Sequence, residues 1–445
     1  MPMTDMRSPS TLALLGGDAL ACSRQFPRNR VKASEDCGNA AIRALQSGGW
    51  SMFTSDEVSA FETEFAQFVG AKHTVLVNSC TTAILASLMA SGIGPGDHVA
   101  VPGYTYIGTC MPVLALGAHP VLIDIDPTTQ SMDPRSLAQA FEQYSIRAVV
   151  QAHLFGLCSG AAEIVELCGR HNAVYIADNA QLLGERGITS TLAEYGATCF
   201  SFGESKLLRL GEGGAIATNS DALAERLRLA RHEGEQWTRL NSSRLVGTQP
   251  TTNDLIEHLS SVQAGLNFRP FSVAAAIGRV MLRELPERLQ KLSANAAVFN
   301  GLLGGHSCLK LPAEGVRTWW TYPLCVDPKH IERNVALAAL LAEGIPVGVH
   351  FPRLISEHPT VKERARIGPS GLMGATQFSK THLVLPIYPS LDTKDIETMC
   401  AAVSKVLVNG NDLKSELARA RAEHLLKTRP ISELCDGLFI FLEDN

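Results

Sequence analysis

Thr74-Val-Leu-Val-Asn78-Ser-Cys-Thr-Thr82 sets a short apolar run against a Ser/Thr-rich corner, and the apolar stretch from there to Ala90 is long enough for a helix. The unit recurs downstream. Further short apolar runs stand at His98-Val-Ala-Val-Pro102, Val121-Leu-Ile-Asp-Ile125, Ala148-Val-Val-Gln151, Ala173-Val-Tyr-Ile-Ala-Asp178, Cys199-Phe-Ser-Phe202 and Gly214-Ala-Ile-Ala-Thr218. Amphipathic helix-length segments at 134–144 and 221–231 separate some of them. Strands alternating with helices predict an α/β lobe whose mainly parallel sheet is covered on both faces. In such sheets ligands collect beyond the carboxyl ends of the strands, so polar residues directly after an apolar run are the first candidates.

The pattern changes towards the C-terminus. A helical stretch from Ser272 to Leu303 is expected to break at Pro286. A smaller α+β unit follows, with strands at Tyr322-Pro-Leu-Cys-Val326, Val347-Gly-Val-His-Phe351 and Leu383-Val-Leu-Pro386, and helices near 332–342 and 393–407. The expected organisation is an N-terminal segment 1–50, a large domain 51–275, a small domain 276–410 and a C-terminal extension 411–445. That extension ends in Gly437-Leu-Phe-Ile-Phe-Leu442, which is open to packing on a lobe or on a neighbouring subunit.

Composition narrows the function classes. The 445 residues are 45% hydrophobic and 19% charged, as in a globular enzyme of two lobes. Lys and Arg (39) nearly balance Asp and Glu (44), so no basic field for nucleic acid or an anionic membrane is expected. The most apolar stretch, Val335 to Val349, is interrupted by Glu343 and falls short of the roughly 18 residues of a membrane span. Leu12-Ala-Leu-Leu-Gly-Gly-Asp18 is too interrupted for a signal sequence, so the expected compartment is the cytoplasm. Eleven cysteines without a C-x-x-C pair, and no His cluster at ligand spacing, predict reduced thiols and no metal site.

Between Lys72 and Lys291 the single lysine is Lys206, after the strand-like Cys199-Phe-Ser-Phe. It reads either as an ordinary loop lysine or as the amine of a Schiff base with a carbonyl cofactor, chemistry that needs a lowered amine pKa. Asp178 ends an apolar run and reads as a helix N-cap, or as a carboxylate against a protonated pyridine nitrogen. Ser79-Cys-Thr-Thr82 opens a helix, either as an ordinary cap or as an anion site. Tyr106 could stack on a flat cofactor or fill core, and Gly211-Glu-Gly-Gly214 reads as a tight turn into a strand.

In this order, several motifs resemble the DegT–StrS aminotransferases across about residues 40–408: Asn78-Ser-Cys-Thr-Thr-Ala83, Thr105-Tyr-Ile-Gly-Thr109, Ala177-Asp-Asn-Ala-Gln181, Ser201-Phe-Gly-Glu-Ser-Lys206, Gly211-Glu-Gly-Gly-Ala215 and Leu266-Asn-Phe-Arg269. The resemblance implies a transferase of fold type I dependent on pyridoxal 5'-phosphate (PLP). It implies Lys206 as the Schiff-base lysine, Asp178 as the pyridinium partner and Gln181 as the neighbour of the phenolic oxygen. Thr81, Thr82 and Ser201 match phosphate ligands, and Tyr106 the stacking aromatic. Asn267 matches a residue that reaches the other subunit's cofactor, which implies a homodimer with shared sites. His350 matches a substrate-side histidine, with a surface histidine as the plainer reading, and Arg269 binds a donor carboxylate or shapes the interface. Cys80 departs from the family's usual glycine, and Lys206 argues against the branch that has histidine there and removes a hydroxyl.

The expected reaction is transfer of an amino group from glutamate or glutamine to a keto-cyclitol or keto-sugar, by a ping-pong route in natural-product (antibiotic-type) biosynthesis. Alternatives are an elimination or carbon–carbon bond-forming reaction on the same fold, a PLP-binding regulator without turnover, and a nicotinamide oxidoreductase. The last would need a glycine-rich turn that Ser79-Cys-Thr-Thr82 lacks.

Overall fold

The computed structural model describes residues 11–21, 26, 33–184, 186–235 and 260–428. The seven apolar runs form β1 (His73–Val77), β2 (His98–Pro102), β3 (His119–Ile123), β4 (Ile146–Ala152), β5 (Val174–Asp178), β6 (Gly196–Ser201) and β7 (Gly214–Thr218). They lie in the order β1-β7-β6-β5-β4-β2-β3. Only β7 runs against its neighbours in this stretch. A two-residue strand, β10 (Arg366–Ile367), pairs in parallel with β3 at the edge.

Side chains of a strand alternate between faces, and here each face is buried. In β1, Val75 and Val77 enter the cluster under the helix Cys80–Ala90, while Leu76 enters the one formed with the helix Glu57–Val69. The helices Pro134–Gln143 and Ala161–His171 contribute to a third cluster, over β3, β4 and β5. Nearly continuous apolar runs are what a sheet covered on both sides requires.

The small lobe holds an antiparallel sheet of β8 (Leu309–Lys310), β9 (Tyr322–Val326) and β11 (His382–Leu385) in the order β11-β9-β8. The helix Ser272–Leu303 joins the lobes and continues through Pro286, contrary to the break expected there. Proline removes one backbone hydrogen bond, but both halves are anchored: Met281, Leu282 and Leu285 belong to the large-lobe core, Leu292, Ala296, Phe299 and Leu303 to the small-lobe core. Val347–Phe351 also differs from expectation. Its pairing is confined to a bridge between Gly348 and Val384, and the chain turns at Phe351, where φ is 51°.

Both ends of the described chain pack on the small lobe. Leu12, Leu14 and Ala21 share its core with Leu413, Ala418, Ala422 and Leu426, the last three from the helix Glu416–Thr428. Glu343, 0% exposed, ties the N-terminal segment down: its carboxylate accepts the backbone N–H of Ala13 and of Leu20, each at 3.0 Å, and the Lys405 ammonium at 2.9 Å. Residues 437–442 lie outside the described residues.

Candidate active site

The carboxyl ends of β1 and β6 meet the start of β7, because β7 is antiparallel: Gly214 lies opposite both Val77 and Ser201. A Cβ on Gly214 would fall 2.5 Å from the Ser79 carbonyl, so only glycine permits this approach. Ser79 caps the helix Cys80–Ala90: its Oγ accepts from Thr82 N–H and Thr82 Oγ1 accepts from Ser79 N–H, both at 3.1 Å. The first-turn N–H groups of Cys80 and Thr81 have no partner within the helix, which leaves an anion-attracting end beside the Ser79, Thr81 and Ser201 side chains.

These groups open on a cavity of about 310 Å³ that extends to the small lobe. Asp178, at the last position of β5, accepts the Thr109 hydroxyl at 2.8 Å on one oxygen, and the Ala180 N–H at 3.0 Å and Cys80 thiol at 3.7 Å on the other. Burial pushes its carboxyl above the usual range, opposed by the Thr109 and Ala180 hydrogen bonds and by the Lys206 charge. Lys206 lies in the excursion between β6 and β7. Desolvation holds its amine below the ordinary lysine range, while Cys80 and Asp178 pull the other way. Trp320 covers it from the small lobe: the ammonium sits 4.4 Å from the ring centre, and indole N–H donates to the Ser205 carbonyl at 2.8 Å.

Gln181 lines the same cavity, and its side-chain carbonyl accepts Phe155 N–H. The turn that presents this N–H has φ of 53° at Phe155 and 75° at Gly156, where a Cβ would lie 1.7 Å from the Thr318 carbonyl oxygen. Tyr106, 57% exposed, stands at the mouth with its ring 5.8 Å from that of Phe351. His350 is 1% exposed, which removes the surface reading, and stacks on Trp320 at 4.8 Å. Burial and the nearby His382 and Lys206 pull its pKa down to about 3, so the ring is neutral, and its buried Nε2 has no partner among the described residues. His153, also on the cavity wall, is drawn down to about 4 by burial.

The structure therefore brings Lys206, Asp178, Gln181, Thr81, Ser201, Tyr106 and His350 to one cavity. Three other expected residues stand apart from its wall. The Thr82 hydroxyl is engaged in the cap and with the Asn78 side chain at 2.7 Å. Asn267 is exposed and bridges to His232, and Arg269 pairs with Glu233 at 2.6 Å. Thr109, His153 and Trp320 belong to the site without a role assigned from sequence. Thr109 lies inside a quoted motif, but the other two reach the cavity through tertiary packing alone.

These residues fit PLP: an amine for its aldehyde, a carboxylate for its ring nitrogen, and hydroxyls at a helix N-terminus for its phosphate. Among the described residues, no group of His, Cys, Asp or Glu could hold a metal, and no helix is long and apolar enough to cross a membrane.

The chain matches the DegT/DnrJ/EryC1/StrS aminotransferase family over residues 32–404. It is 31% identical over 381 residues to the UDP-2-acetamido-2-deoxy-3-oxo-D-glucuronate aminotransferase of Pseudomonas aeruginosa, covering 84% of this chain and 96% of that protein. It is 32% identical over 401 residues to the GDP-perosamine synthase of Caulobacter vibrioides, covering 86% and 99%. Among solved structures, a DegT DnrJ EryC1 StrS aminotransferase from Brucella abortus superposes with a TM-score of 0.73 at 25% identity, over 84% of this chain and 95% of that one. With its helix-capped hydroxyls, its strand-end Asp178 and Lys206 on one cavity, the chain belongs to the DegT/DnrJ/EryC1/StrS family and is a PLP-dependent aminotransferase of fold type I.

Proposed function

We propose that the protein transfers an amino group from glutamate or glutamine to the ketone of a keto-sugar or keto-cyclitol, in two half reactions at the Lys206 cavity. The observation that carries this reading is the pairing of a desolvated lysine amine with a buried strand-end carboxylate on one cavity wall. Bound there, PLP supplies an aldehyde that captures the amine and a ring that withdraws electrons as the donor's C–H proton leaves.

Lys206 moves that proton, and the burial that lowers its amine pKa favours the neutral, basic form the step needs. Asp178 holds a proton on the ring nitrogen. Ser79, Thr81 and Ser201 orient the phosphate with the free N–H groups of the helix end, while Tyr106 covers the ring. His350 meets the substrate as a neutral imidazole. The names of the two relatives support a nucleotide-linked keto-sugar as the first acceptor to try, with free keto-cyclitols next. A role in natural-product biosynthesis belongs to this reading. So does a cytoplasmic setting, supported by the nine free cysteines among the described residues.

The reading includes a homodimer in which Asn267 reaches the partner's cofactor, with Arg269 binding a donor carboxylate or shaping the interface. In support, Val262, Leu266 and Phe271, which flank them in sequence, are large apolar side chains left exposed.

The test is the donor half reaction. Holoenzyme given L-glutamate or L-glutamine should lose its visible absorbance band and release one equivalent of 2-oxo acid, then regain the band on addition of the right ketone. Lys206→Ala should do neither. Release of no 2-oxo acid from any amino acid would overturn the assignment.

A further inference from the structure

Trp320 of the small lobe lies with its ring face over the reactive lysine. Trp320 contacts this stretch twice, at the Ser205 carbonyl through its indole N–H and at the Lys206 ammonium through its ring face. The chain around it is held firmly. Thr318 N–H donates to the Gly156 carbonyl at 2.9 Å and Thr318 Oγ1 accepts from Leu183 N–H at 3.1 Å, so the large lobe grips the segment just before the ring. On the other side Trp319 stacks on Tyr322 at 5.6 Å, at the start of β9.

We propose that Trp320 is a positioning residue for Lys206, its ring face docking the ammonium whenever the amine is free of cofactor. An ammonium over an indole face is attracted by the ring quadrupole, most strongly where water is excluded. The charged and titratable neighbours leave this role to the ring. Asp178 and Cys80 face the amine from β5 and from the start of the helix Cys80–Ala90, but no salt bridge joins Lys206 to a carboxylate among the described residues. Glu212 lies exposed on the rim. His350, stacked on the same indole, stays neutral and so adds no second cation. Its placement is also fixed from outside the cavity, because Tyr104 OH donates to its carbonyl and His382 Nε2 lies 2.8 Å from the same oxygen.

A lysine that must leave the cofactor, take a proton and return would otherwise be free to swing through its rotamers. Holding the ammonium on the ring keeps it within reach of the reacting carbon.

This inference rests on Lys206 being the active lysine, which the donor half reaction tests separately, so its own experiment is read in the apoenzyme. The apparent pKa of Lys206 is taken from the pH dependence of its modification by an amine-selective reagent, with the Lys206 peptide quantified by mass spectrometry. In Trp320→Leu that pKa should fall by about one unit relative to the parent, whereas Trp320→Phe, which keeps a π face, should recover roughly half of the shift. Enzyme made with fluorinated tryptophan keeps the ring's shape and weakens its face, so the pKa should step down with each added fluorine even if Trp320→Leu does not fold. An unchanged pKa across the fluorinated series, or in a folded Trp320→Leu protein, would overturn the proposal.

Discussion

Thr109→Val removes one hydroxyl and nearly nothing else, which makes it a sharp probe of Asp178. The threonine is 1% exposed, and valine reproduces its shape. Its hydroxyl donates to Asp178 Oδ2 at 2.8 Å, the shortest of the three contacts that hold the carboxylate, against 3.0 Å from Ala180 N–H and 3.7 Å from the Cys80 thiol. A hydrogen bond to a charged group contributes about 1.5–3 kcal/mol. One pKa unit corresponds to about 1.4 kcal/mol, so losing this bond should raise the Asp178 pKa by roughly 1–2 units. The sign follows from which form is bonded: the hydroxyl stabilises the anion, and the anion is what keeps a proton on the cofactor's ring nitrogen. The acid side of the donor half reaction should therefore move up by about the same amount, read by rapid mixing with glutamate across a pH series. Thr109→Ser should behave like the parent. Thr105, whose hydroxyl lies 3.0 Å from that of Thr109 and polarises it from behind, should give a smaller shift as Thr105→Val. An acid limb in Thr109→Val that coincides with the parent's, or one equally displaced in Thr109→Ser, would refute this account of how Asp178 is held.

Three further outcomes are expected. Glu343→Ala strands the Lys405 charge, 10% exposed, and two backbone N–H groups, and should lower stability by about 3–5 kcal/mol in urea unfolding; a loss under 1 kcal/mol would contradict the clamp. Gly156→Ala places a methyl 1.7 Å from the Thr318 carbonyl oxygen at a φ of 75°, so the turn that serves Gln181 should shift and cofactor affinity should fall at least tenfold, measured by equilibrium titration of the apoenzyme. His153, His350 and His382 are pulled by burial to about 4, 3 and 3, below the 6.5 of the free side chain. The unfolded chain then takes up these protons first. Stability is complete above pH 6.5 and lost as pH falls towards the folded values, by about 2 kcal/mol per histidine at pH 5. Equal unfolding midpoints at pH 7.5 and pH 5 would show that these rings are not buried neutral.

The local grammar of the chain was sufficient for the large lobe's strands and for the residues at their ends. Asp178 closes an apolar run, Lys206 follows one, and Ser79 opens a helix, each a signal carried by a few neighbouring residues through period, length and capping chemistry. The same grammar misjudged Pro286, since a proline's local cost says nothing about two cores anchoring the helix on either side of it. It misjudged Val347–Phe351 as well, where the alternation is strand-like but the partner edge is engaged only at Gly348.

What the sequence by itself determined was which residues are apolar enough to be buried, where the elements end, and therefore which polar groups wait at the strand termini. The tertiary structure alone decided which of those groups meet. Inserting β7 antiparallel between β1 and β6 sets Gly214 against Val77 and Ser201, and so brings the Ser79 cap to the loop of Lys206. Docking of the small lobe then sets Trp320 and His350 over that lysine, and packing under β5 sets Thr109 and Cys80 against Asp178. The reason is physical: a local pattern encodes burial and capping within a few residues, whereas contacts between distant segments depend on how whole faces interlock, and no short stretch of chain carries that information.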